Sequence, residues 1–134
     1  MKLKTITPIA LSAIALLVGT TAYAAPFKIA ISNSYIGNEW RVEMINFMQA
    51  YAAKLGADKV ALTVDNSGTD APKQIQAISD MIASGANAIM INPASDTALD
   101  SIIEEACKQN IVVVSFDQGV TAPCAYTIDE IGRA

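Results

Sequence analysis

The sequence predicts an α/β fold: a Rossmann-like parallel sheet with flanking helices. Two observations carry that expectation. Short, mostly apolar runs recur at residues 27–32, 60–64, 88–91 and 111–116, too apolar to leave either face to water. Between them lie three segments with helical apolar spacing, and a polar loop follows each of the first three runs. Strands of this kind, alternating with helices, join through right-handed crossovers into one sheet covered on both sides.

Ahead of the first strand, Lys2 and Lys4 precede an apolar run at 9–18 and the small-residue pattern Ala22-Tyr23-Ala24. That order is the pattern of a secretory signal peptide, cleaved after Ala24. The run falls short of the ~20 residues a membrane-spanning helix needs. No cysteine stands directly after the cleavage point, as a lipid anchor would require, so residues 25–134 are expected as a soluble, exported, single domain.

The first strand, 27–32, ends in a polar segment, 33–38. In the helix that follows, 40–55, Met44, Ile45, Met48, Ala52 and Leu55 recur at helical spacing, and Gly56 stands at the expected stop. The second unit has a strand at 60–64, a loop at 65–71 and a helix at 72–84 with Ile75, Ile78 and Ile82 inward, ended by Gly85. The third has a strand at 88–91, a loop at 92–96 with Ser95 or Asp96 as N-cap, and a helix at 97–109 burying Leu99, Ile102, Ile103 and Ala106. The fourth strand is 111–116, and 125–128 is a candidate fifth.

Composition narrows the function. The net charge of −4 becomes −6 once Lys2 and Lys4 leave with the leader, which argues against nucleic acid or an anionic membrane as partner. There is no histidine, hence no His-based triad, imidazole base or His metal site. Neither a G-x-G-x-x-G nor a P-loop occurs, and G-x-S-x-G is missing. No catalytic residue, metal or cofactor is therefore assigned. Cys107, late in the third helix, and Cys124, beyond the fourth strand, are a possible disulfide in an exported chain. The alternative is a pair of free thiols.

In open α/β sheets, ligands bind where loops leave the carboxyl ends of the strands. Those loops hold Asn33, Ser34, Tyr35, Asn38, Trp40 and Arg41, then Asp65, Asn66 and Ser67, then Asn92, then Asp117 and Gln118. Amides and carboxylates beside an aromatic face suit a carbohydrate. Each also has a structural reading: Asn33, Ser34, Asn66 and Ser67 are common turn formers, Trp40 could be a packed aromatic, and Asp117 a strand-end turn residue.

Lys28-Ile29-Ala30-Ile31-Ser32, Asn38-Glu39-Trp40-Arg41, Ile91-Asn92-Pro93-Ala94-Ser95-Asp96 and Val113-Val114-Ser115-Phe116-Asp117 together resemble the N-terminal lobe of the ribose-binding-protein family. Those are periplasmic sugar-binding components of ABC importers, with the type I periplasmic-binding-protein fold. The resemblance implies that Asn38 offers an amide to the sugar and Trp40 a stacking face. Arg41 occupies a second aromatic position, trading a stacking face for a charged fork. An Asp-Arg pair that holds sugar hydroxyls in the ribose binders reads Asp117-Gln118 here.

The expected ligand set is thus Tyr35, Asn38, Trp40, Arg41, Asp117 and Gln118. The implied ligand is a monosaccharide or polyol, the implied partner an ABC permease, and the expected state a monomer. The resemblance further implies two hinged lobes, of which 25–134 supplies only the first, so a fragment of a longer product, a truncated form or a degenerate copy is expected. Two alternatives stand beside the importer: a periplasmic sensor for a chemoreceptor or kinase, and, more remotely, a small exported α/β enzyme using Asp65 or Asp117.

Overall fold

A computed structural model describes residues 24–128. The expected leader, apart from Ala24, lies outside the described residues. In chain order the elements are β1 (Phe27–Asn33), α1 (Glu39–Leu55), β2 (Val60–Asn66), α2 (Ala71–Ala83), β3 (Ala88–Asn92), α3 (Asp100–Lys108), β4 (Val112–Phe116) and β5 (Tyr126–Ile128). The strands form one sheet in the order β2-β1-β3-β4-β5, and every neighbouring pair is parallel. None of the described helices is long and apolar enough to cross a membrane.

Register explains how the apolar residues divide. Ala30, Ile89 and Val113 lie in line across β1, β3 and β4 on one face. There they meet Ile78, Met81 and Ile82 of α2 and Ile102, Ile103 and Ala106 of α3 in the main core. The opposite face presents Ile29, Ile31, Leu62 and Met90 to Met48 and Ala52 of α1. Parallel strands with helices on both faces therefore form as the near-continuous apolar runs predict.

Two local expectations need correction. Helix α1 is less inward-facing than its spacing suggests: Met44, Ile45, Met48 and Ala52 are half-buried, Leu55 is exposed, and Phe47 is 72% exposed. It lies over the β1–β2 side of the sheet, so Val112, Tyr126 and Ile128 toward the other edge stay open to solvent among the described residues. The sole buried side chain of α1 is polar, Arg41. Helix α3 is the other correction, beginning at Asp100 and not near residue 97. Ser95 Oγ accepts from the amides of Thr97 and Ala98, capping a turn ahead of the helix, while the buried Leu99 takes the N-cap place with no side-chain bond. Burial of Leu99 in the core fixes that start more firmly than a polar cap would.

Cys107 and Cys124 are joined in a disulfide with Cα atoms 6.4 Å apart. It ties α3 to the segment between β4 and β5, beside the buried Ala122.

Candidate ligand-binding site

The strand order places β1 between β2 and β3, so the chain leaves β1 and β3 toward opposite faces of the sheet. Such a switch point opens a crevice at the carboxyl ends of the strands. The residues at that crevice are Asn33 at the end of β1, Ser34 just after it, Asn92 at the end of β3 and Asp117 after β4. Asn33 and Asn92 are register partners, and both side chains are fully buried.

Buried amides need partners, and these have them. Asn33 Nδ2 donates to the Tyr35 carbonyl at 2.9 Å and to Asn66 Oδ1 at 3.1 Å. Asn92 Oδ1 accepts from Ser34 Oγ at 2.7 Å, while its Nδ2 donates to the Phe116 carbonyl and to Asp117 Oδ2, each at 3.2 Å. Asn92 therefore bridges the first loop to the end of β4.

Arg41 enters from α1. Asn38 is the N-cap, its Oδ1 accepting from the Arg41 amide at 2.9 Å, which starts the helix where the third residue on faces the sheet. The guanidinium then crosses the strand ends. Nη1 donates to Asn33 Oδ1 at 3.1 Å and to Asn92 Oδ1, and Nη2 to Asp117 Oδ2. The ion-paired side chains retain 10% and 9% of their exposure. Asp117 has a φ of 65°, a left-handed conformation that Asp tolerates better than most side chains.

Above this charged floor the expected aromatic is open. Trp40 is 48% exposed, and the Arg41 guanidinium carbon lies 5.7 Å from its ring centroid, a cation–π distance. The packed-aromatic reading of Trp40 does not hold. Tyr35 is also exposed, its ring folded over Gly37, where a Cβ would lie 1.7 Å from Tyr35 Oη.

The structure thus brings Arg41 and Asp117 into contact, sets Trp40 against Arg41, and links Asn38 to the same helix start. Gln118 is exposed, and the bond that fixes it runs through its carbonyl, which accepts from Ser115 Oγ at 2.6 Å. The charged fork of Arg41 is largely buried and engaged with Asn33, Asn92 and Asp117. The residues most undervalued by sequence reasoning are Asn33 and Ser34, taken there for turn formers, and Gln74, whose side chain bonds to the ends of β1 and β3. Gln74 had one legible signal, its position four residues before the buried Ile78 on the inward face of α2.

Among the described residues no group of three His, Cys, Asp or Glu side chains could hold a metal. What the cluster offers is amide, hydroxyl and carboxylate chemistry under an aromatic face, the equipment for binding a polar solute.

This doubly wound parallel sheet has the fold of one lobe of a type I periplasmic binding protein. The chain belongs to the periplasmic binding protein family, whose domain, described as a periplasmic binding protein domain, matches residues 29–130. The D-ribose/D-allose-binding protein of Pseudomonas aeruginosa is 34% identical over 92 residues, covering 67% of this chain and 28% of that protein. The galactofuranose-binding protein YtfQ of Escherichia coli is 27% identical over 109 residues, covering 81% of this chain and 33% of that protein. Among solved structures, an ABC transporter solute binding protein from Thermobispora bispora is 36% identical with a TM-score of 0.69, over 77% of this chain and 33% of that one. The chain spans about a third of the length of the relatives it matches.

Proposed function

We propose that this chain is the N-terminal lobe of a sugar-binding component of an ABC importer, which captures a monosaccharide or related polyol in the periplasm and hands it to a membrane permease. The observation that carries this reading is the Arg41–Asp117–Asn92 cluster at the carboxyl ends of β1, β3 and β4, with the half-exposed Trp40 beside it. Hydroxyls are both donors and acceptors, so a site that mixes guanidinium, carboxylate and amide groups answers both halves of their chemistry. An aromatic face suits the C–H surface of a sugar ring. Relatives named for ribose, allose and galactofuranose support the same ligand class.

In this reading the leader directs export and is removed after Ala24, and the protein acts as a monomer with no catalytic step. Asp117 is engaged by Arg41 and Asn92, and Asp65 Oδ1 accepts from Ser67, so each carboxylate already has a structural duty. A second lobe closes over the ligand, and this lobe alone leaves one side of it in water. The chain alone is therefore expected to bind only weakly.

The test is a titration of Trp40 fluorescence with D-ribose, D-allose, galactose and glycerol. The single tryptophan makes the signal unambiguous. The reading expects a saturable change with at least one of them, absent in Asp117→Asn. No response to any, or conversion of a sugar to product, overturns it.

A further inference from the structure

Gln74 is the one polar residue that α2 buries, and its exposure is nil. Its neighbours on the same face are Ile78, Met81 and Ile82, all in the main core. An apolar side chain would pack there without the cost of desolvating an amide, which is tolerable only when the amide's bonds are made. All of them are made, and every one goes to the strand ends that carry the site. Nε2 donates to the Ser32 carbonyl at 3.4 Å, to Ser32 Oγ at 3.1 Å and to the Asn92 carbonyl at 2.9 Å, while Oε1 accepts from the Ala94 amide at 2.7 Å.

The placement matters because the ladder between β1 and β3 ends at Asn33 and Asn92. Past that point the chain turns through the buried Pro93, and the sheet supplies no further register. Gln74 grips this turn on both sides, by the carbonyl of Asn92 and the amide of Ala94. With its backbone fixed, the Asn92 side chain has one orientation in which it accepts from Ser34 and Arg41 and donates to Asp117.

We propose that Gln74 is a positioning residue of the ligand site: it never reaches the ligand, but it holds Asn92 so that Arg41 and Asp117 meet at the strand ends beneath Trp40. This rests on the sugar-binding reading of the same cluster. Hydrogen bonds from a supporting shell commonly decide whether such a group of side chains is held to the tolerance that binding needs.

Two variants test it. Gln74→Met keeps the length and removes every bond; Gln74→Glu keeps an acceptor for Ala94 and removes the donors to Ser32 and Asn92. Folding is checked by cooperative thermal unfolding, and the site by Trp40 emission with acrylamide quenching in the absence of sugar, followed by D-ribose titration. A residue that only filled the core would leave the environment of Trp40, on a different helix, unchanged. The expected result is a folded variant with altered Trp40 emission and quenching, and at least tenfold weaker response to D-ribose.

A folded variant with unaltered Trp40 emission overturns the proposal, whatever its affinity. Failure of both variants to fold also overturns it, since Gln74 would then serve the core alone. If wild-type protein ignores D-ribose and the other sugars while the variants still alter Trp40, the sugar reading falls and the positioning role stands.

Discussion

The guanidinium of Arg41 and the carboxylate of Asp117 meet across the carboxyl ends of β1, β3 and β4, 76 residues apart in the chain and about nine-tenths buried. One partner comes from the first turn of α1 and the other from the residue after β4. Their contact closes the floor of the crevice.

Breaking that pair one side at a time should be costly. Removing one partner of a buried ion pair leaves the other uncompensated, at a typical ~3–5 kcal/mol. Asp117→Asn is the cleaner variant because Asn also accepts the left-handed backbone at this position. Chemical denaturation should show a loss in that range, and Arg41→Leu combined with Asp117→Asn should recover part of it.

Trp40 should separate binding from stability. With half its surface in water, Trp40→Ala is expected to cost about 1 kcal/mol of unfolding free energy, through the lost cation–π contact with Arg41, well below the cost of breaking the buried pair. Sugar affinity should fall roughly tenfold, about 1.4 kcal/mol, through loss of the aromatic face. Calorimetry on the two proteins compares both quantities, and an unchanged affinity would remove Trp40 from the site.

Gly37 sets the position of Tyr35. A Cβ at residue 37 would overlap the Tyr35 ring, which lies at the flexible end of an exposed side chain and can swing away. Gly37→Ala should therefore leave the melting temperature nearly unchanged while shifting the ring resonances of Tyr35. If Tyr35 contacts sugar, Gly37→Ala and Tyr35→Ala should weaken binding to the same extent.

The Cys107–Cys124 bridge joins residues at a sequence separation of 17. Closing that loop restricts the unfolded chain and stabilises by roughly 3 kcal/mol on the chain-entropy view. Unfolding with and without a reductant should show a difference of that size. A double Cys→Ala variant that matches the oxidised protein would place the bridge's contribution near zero.

The sequence by itself determined the architecture, because apolar periodicity is a local property. The runs at 60–64, 88–91 and 111–116, too short for helices and alternating with helical spacing, read as strands of a parallel sheet, and the helices between them as its cover. It also brought Trp40, Arg41, Asn92 and Asp117 into view as loop residues at the carboxyl ends of strands. Tertiary structure decided what each of them does. Whether Arg41 points to solvent or to Asp117 depends on where α1 is set over the sheet, and that is fixed by contacts between segments far apart in the chain. Asn33 and Ser34 carry turn-former signals whatever their burial, and Gln74 differs from a surface glutamine only in the face it occupies. Local patterns record which backbone a residue favours; the partners of a buried polar group are chosen by packing, so the floor of the site became legible only once the strands lay side by side.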